Sequence, residues 1–175
     1  MLGEDPPGIR LELVDGEIEM SPSPLPQHSR VILRLSQMLL NHLDAHDGGE
    51  VFSDVDLILG PHDVRRPDVF FYGPQHSPIR TDRPLDTAPD LAVEVISPSS
   101  GRIDREVKFD LYRKHGIAWY WLIDPTKRTF EAFELALAGE DPVLTGSDNE
   151  EPAPPPIEGF RLSLSRLWAG STAKR

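Results

Sequence analysis

Residues 91–100, Leu91-Ala92-Val93-Glu94-Val95-Ile96-Ser97-Pro98-Ser99-Ser100, decide how this chain is read. The first six form the most apolar strand of the sequence, and Ser97-Pro98 ends it. Alternation sends Leu91, Val93 and Val95 to one face and Ala92, Glu94 and Ile96 to the other. Glu94 is therefore a carboxylate in the middle of a buried strand. Such a group is normally paired or metal-bound, because leaving it unpaired costs several kcal/mol. Its face must open onto a cleft, a cation or a basic partner.

Downstream, the Ser99-Ser100 pair can cap a helix over about 102–115, with an inward stripe of Ile103, Val107 and Leu111. Asp104 and Lys108, four apart, share one face of that helix. Ile117–Ile123 is an aromatic-rich strand, and Asp124-Pro125-Thr126-Lys127 turns it into a partner over Thr129–Leu135. Residues 138–156 are acidic and proline-rich and read as a mobile surface loop with a brief strand at 142–145. A strand over Phe160–Leu164 and a short helix at Ser165–Trp168 follow.

Upstream, Pro67-Asp68-Val69-Phe70-Phe71-Tyr72 is a short strand opened by proline, with Asp68 at its mouth. A polar loop covers about 73–88, Val51–Leu59 reads as one strand, and Pro61 with His62-Asp63 makes a turn. Apolar residues at Val31, Ile32, Leu35, Met38, Leu39 and Leu43 give a helix from His28 to about His46, stopped by Gly48-Gly49. Asp15-Gly16 is the turn of a hairpin over residues 10–20. Hairpin, helix, strands, helix and hairpin predict an α/β fold with a mixed central sheet flanked by helices. The expectation is one domain over 1–175, with its core at about 10–135.

The chain has 175 residues and a formal charge of −11. Taken whole, that argues against a broadly basic nucleic-acid or membrane binder. The charge is uneven: residues 99–128 hold seven basic and four acidic side chains, beside the suspicious Glu94. With no cysteine there is no disulfide scaffold, thiolate metal site or cysteine nucleophile. No apolar run reaches the roughly 20 residues that span a bilayer, and the acidic, proline-bearing start is unlike a signal peptide. A cytoplasmic protein is expected.

Asp68 and Glu94 from two strands, with a lysine reaching over from the helix, suit phosphate chemistry. Carboxylates hold Mg²⁺, a hard cation. The cation acidifies a water and clamps a phosphate oxygen, and Lys108 stabilises developing negative charge. A plain buried ion pair, with Asp68 capping a turn, is the alternative. Arg66-Pro67-Asp68-Val69, the run from Pro89 to Ser100, Asp104-Arg105-Glu106-Val107-Lys108 and Trp119-Tyr120-Trp121-Leu122-Ile123-Asp124-Pro125 together resemble the Uma-type family of restriction-endonuclease-like proteins, in the PD-(D/E)XK nuclease superfamily. The resemblance covers about residues 10–135. It implies a restriction-endonuclease-like fold, with Asp68, Glu94 and Lys108 catalytic. It also implies Mg²⁺ (or Mn²⁺) held by Asp68, Glu94 and the Val95 carbonyl. The superfamily's lysine stands two residues after the second acid; here that residue is Ile96, and Lys108 on the next helix takes its place.

Glu12 and His28 are accessory candidates, and Arg102 and Arg105 candidate phosphate contacts. His42 and His46 have helical zinc spacing but lack the glutamate a metalloprotease needs. Trp119 and Trp121 suit a core or a subunit interface better than a base-stacking platform. No G-x-S-x-G, P-loop or dinucleotide fingerprint is present. The expected activity is Mg²⁺-dependent hydrolysis of DNA phosphodiester bonds, with weak, metal-dependent and salt-sensitive DNA engagement. The alternatives are a catalytically silent binding or assembly module of the same fold, and a hydrolase of another phosphate ester. A homo-oligomer, dimer or higher, is expected through the aromatic strand region.

Overall fold

The structure, a computed structural model, describes residues 5–46, 48–98, 100–137 and 139–170. Strands β1 (Ile9–Val14) and β2 (Glu17–Pro22) form the N-terminal hairpin, with Asp15 and Gly16 at φ 48° and 85° in its turn. Positive φ at both central residues matches the twist of the flanking strands, which is why Asp-Gly is favoured there. Helix α1 (Pro26–Asp44) begins with proline at its first turn, where the missing N–H is not needed. It buries Val31, Leu35, Met38, Leu39 and Leu43 as a single stripe.

The expected strand over 51–59 is two strands. β3 (Glu50–Phe52) and β4 (Leu57–Gly60) lie in different sheets, and Asp54 between them sits at φ 57°. That left-handed residue breaks the extended run and redirects the chain. Asp63, expected in a turn, instead opens β5 (Asp63–Arg65) and is buried. β6 (Val69–Tyr72), β7 (Leu91–Val95), β8 (Trp119–Asp124), β9 (Thr129–Glu134) and β10 (Leu144–Ser147) complete the strands.

The principal sheet has six strands in the order β10-β9-β8-β7-β6-β3, mixed because β7 and β8 run parallel. The crossover between them carries a π-helical turn (Ile103–Val107) that runs into α2 (Lys108–Lys114). A second sheet, β2-β1-β5-β4, is antiparallel. The expected alternation in β7 holds. Leu91, Val93 and Val95 enter the core under α1, with Trp121, Phe130 and Ala132 beside them. Ala92 enters the core under α2, with Tyr112, Tyr120 and Leu122.

Two further expectations are corrected. No strand forms over 160–164; Phe160 and Leu162 are buried in coil before α3 (Leu164–Trp168), which packs against α1. The buried residues of the crossover helix are Asp104, Lys108, Phe109, Leu111 and Tyr112, while Ile103 and Val107 are half-buried. The proline-rich stretch is tied to the core, since Trp121 Nε1 donates to the Pro155 carbonyl at 2.8 Å. Ser99 lies outside the described residues. Ser100 Oγ accepts from the Ser97 amide, and the π-helical turn starts with no side-chain cap. No helix of the described residues is long and apolar enough to cross a membrane.

Candidate active site

Strands β6 and β7 are antiparallel with Val69 opposite Val93. One step along the same register brings Asp68 beside Glu94. The Val95 amide donates to Asp68 Oδ2 at 2.8 Å, which locks the strand mouth to the carboxylate. His28, at the start of α1, places Nε2 3.0 Å from the same oxygen. Arg10 of β1 approaches Asp68 Oδ1 at 3.6 Å. Burial pushes the Asp68 carboxyl up, but His28, Lys108 and the Val95 amide outweigh it and hold it below the ordinary carboxylate range.

Three side chains of the crossover helix, at four-residue spacing, face Glu94. Tyr112 Oη donates to Glu94 Oε1 at 2.6 Å, and Lys108 Nζ lies 2.7 Å from Oε2. Asp104 Oδ1 is 3.2 Å from the same ammonium. Tyr120 Oη, from β8, donates to the Asp104 carbonyl at 2.9 Å and ties the π-helical turn to the sheet. A π-turn widens a helix by one residue and is frequent at functional sites. Here the Lys108 amide donates back to the Ile103 carbonyl, at the point where the lysine turns inward.

The charges oppose one another. Burial drives the Glu94 carboxyl upward; Lys108 counters this, while Asp68 and Asp104 add to it. Burial lowers the Lys108 pKa, yet Glu94, Asp104, Glu12 and Asp68 carry it above the ordinary lysine value. Lys108 therefore carries the proton. The Tyr112 hydroxyl, buried against Glu94, is pushed well up and stays neutral.

Arg10, His28, Asp68, Glu94, Asp104 and Lys108 line a cavity of about 290 Å³ together with Glu12, Val95, Ser97 and Ser100, and Tyr112 stands behind Glu94 outside it. The structure thus brings together Asp68, Glu94, Val95, Lys108, Glu12 and His28. Glu12 lines the cavity with both oxygens engaged: Oε1 accepts from the Arg66 amide at 2.8 Å, and Oε2 from Arg65 at 3.3 Å. Arg102 and Arg105 do not line it. They pair with Glu106 and Glu131 on the outer side of the crossover helix. Arg10, Asp104 and Tyr112 were missed from sequence. The four-residue spacing of Asp104, Lys108 and Tyr112 is the available signal: the sequence reading pairs Asp104 with Lys108 on one face but gives only Lys108 a role and does not extend the face to Tyr112.

A divalent cation can be judged on the donors present. Among the described residues no group of three or more His, Asp or Glu side chains converges on a metal-holding point. Two carboxylates on one wall, with Asp68 Oδ1 bound by no short contact, nonetheless suit Mg²⁺. That ion takes one or two carboxylates and completes its shell with water and phosphate, unlike cations held in all-protein cages. His42 and His46 lie elsewhere; their rings stack at 4.3 Å, and His42 Nε2 contacts the Glu158 carbonyl.

The sequence profile of the Uma2 family, described as "Putative restriction endonuclease", matches residues 1–165. An uncharacterized protein of Synechocystis is 35% identical over 102 residues, 58% of this chain and 53% of that protein. The chain spans about half the length of that curated relative. The crystal structure of a "putative nuclease belonging to DUF820" from Anabaena variabilis superimposes with a TM-score of 0.72 at 20% identity. The superposition covers 95% of this chain and 93% of that one, and shows that the two share a fold. With its profile matched from residue 1 to residue 165, this chain belongs to the Uma2 family.

Proposed function

We propose that this protein hydrolyses DNA phosphodiester bonds with a divalent cation, Mg²⁺ or Mn²⁺, at the Asp68–Glu94 cavity. One observation carries the reading: two buried carboxylates from adjacent strands share a cavity with a lysine whose ammonium nitrogen is 2.7 Å from one of them. Asp68, Glu94 and the Val95 carbonyl would hold the cation. When bound, Mg²⁺ neutralises phosphate charge and makes a water more acidic. Lys108, charged and dry, stabilises negative charge on the phosphate oxygens and does not act as a base. Asp104 and Tyr112 position it: one holds the ammonium, the other fixes the Glu94 carboxylate. His28 and the Val95 amide orient Asp68. The family description supports DNA as the substrate class.

A second reading has its own observation. Both Glu94 oxygens already have partners in Tyr112 and Lys108, which suits a silent, self-neutralised site. Calorimetric titration with Mn²⁺ separates the two. The nuclease reading expects about one or two ions per chain, lost in Asp68→Asn. No heat of binding from the unaltered protein would favour the silent module. A panel of a duplex, a single strand and a phosphomonoester then fixes the substrate class; hydrolysis of the monoester alone would reject DNA.

A further inference from the structure

The lysines and arginines of this acidic chain are mostly neutralised by neighbouring carboxylates. Among the described residues the exceptions are Arg113, Arg161 and a cluster of three: Arg30, Arg34 and Arg166. The cluster has a cause in the sequence. Residues 20–43 contain no Asp or Glu, and neither do residues 159–175. The fold packs these acid-free segments together, since α3 lies against α1.

Backbone carbonyls hold two of the guanidinium groups in place without cancelling their charge. Arg34 Nη1 donates to the Arg166 carbonyl, and Arg30 Nη1 to the Gly170 carbonyl, both at 2.5 Å. Arg30 Nη1 and Arg34 Nη2 lie 3.5 and 3.8 Å from one point beside Gly170, so the two cations are close neighbours. Each bond uses one of the five N–H groups of a guanidinium. The rest remain free to bond elsewhere; Arg30 and Arg166 are exposed and Arg34 is half-buried. A cavity of about 330 Å³ opens between Arg34, Gln37, Met38 and Arg166.

The position matters as much as the charge. His28, which holds Asp68 in the candidate site, is on the same helix, and Arg30 and Arg34 follow about 3 and 9 Å further along its axis but about 160° and 120° around it. They would therefore meet the duplex beside the scissile phosphate and not the phosphate itself. Resting on the nuclease reading above, we propose that Arg30, Arg34 and Arg166 form a ridge that grips the phosphate backbone of the DNA whose scissile phosphate enters the Asp68–Glu94 cavity. Planar guanidinium forks suit phosphate oxygens, and a polyanion is the complement of an unneutralised cationic cluster on a chain of net charge −11. The ridge takes over the role expected of Arg102 and Arg105, whose charges are matched by Glu106 and Glu131.

Binding of a fluorescent duplex oligonucleotide, followed by anisotropy in EDTA across a salt series, tests this. Glutamine retains an N–H for the carbonyls and removes the charge, so the variants are Arg30→Gln, Arg34→Gln and Arg166→Gln, singly and combined. The slope of log affinity against log salt should flatten by about 0.9 for each arginine removed. The corresponding lysine variants should retain most of it. An Arg80→Gln/Arg83→Gln control, where both side chains are ion-paired with neighbouring aspartates, should leave the slope unchanged. In cleavage the triple variant should raise KM and keep kcat. An unchanged slope in a triple variant with unaltered Tm overturns the ridge while the unaltered protein still cuts DNA. Failure of the unaltered protein to bind or cut DNA overturns the ridge and the nuclease reading together.

Discussion

Glu94 has almost no exposed surface, and its burial is tolerable because one residue in each direction of the helical repeat serves it. Lys108 supplies the countercharge, Tyr112 a hydroxyl, and Asp104 holds the lysine from the far side. Removing one member of such a set strands the others, a loss of about 3–5 kcal/mol for a buried pair. Lys108→Met should therefore destabilise the protein by about that amount in urea denaturation, more than the charge change alone suggests. Glu94→Gln with Lys108→Met should lose less than the sum of the single variants, because no pair is left half made. Additive losses would mean that the two side chains do not depend on each other. The polar members of this set were only half legible in sequence. Glu94 betrayed itself by its apolar neighbours. Asp104 shows only as the neighbour of Lys108 on one helix face, and Tyr112 not at all, because the apolar stripe of Ile103, Val107 and Leu111 is the stronger periodic signal and points the helix another way.

At the level of elements, β7, the N-terminal hairpin and α1 could be read directly, each from one dominant local signal: alternation, an Asp-Gly turn and a 3.6-residue stripe. The division of residues 51–59 between two sheets could not. It rests on positive φ at Asp54, a residue that visits this region often enough to need no glycine to announce it. Asp63 shows the same blindness. It is a turn residue by composition, but it joins β5 to the hairpin turn and to the end of α2. Its Oδ1 accepts from the Asp15 amide at 2.9 Å, and its Oδ2 lies 2.9 Å from His115 Nε2. Burial raises this carboxyl, but the Asp15 amide, His115 and Lys114 together bring it below the ordinary value.

A depressed carboxyl stabilises the fold above its unfolded pKa, about 3.9, and loses that contribution as pH falls through the folded value. The stability gap between the unaltered protein and Asp63→Asn should therefore be constant from pH 7 to about pH 5 and shrink below about pH 4. Thermal or urea denaturation across that range measures it. A gap that persists undiminished at pH 3 would mean that the carboxylate charge does not secure β5 to the hairpin turn and the end of α2.

Across the whole molecule, α1 lies along one face of the six-stranded sheet and α2 lies over the other. The candidate site opens where the N-terminal end of α1, the mouth of β6 and the end of β7 meet. A net charge of −11 at first argues against a nucleic-acid partner. The charge is not spread evenly, however. Carboxylates gather around the cavity, where a divalent cation would offset them, and of the uncompensated arginines Arg30 and Arg34 lie on the helix that reaches the site, with Arg166 of α3 beside them. Engagement of DNA should then be weak, strongly salt-dependent and conditional on metal for cutting. The most direct measurement is the initial rate of nicking of supercoiled plasmid in Mg²⁺ by the unaltered protein, beside Asp68→Asn and Lys108→Ala. The account predicts nicking that EDTA abolishes and that falls at least about 100-fold in each variant. Nicking that survives both substitutions at the original rate would contradict it.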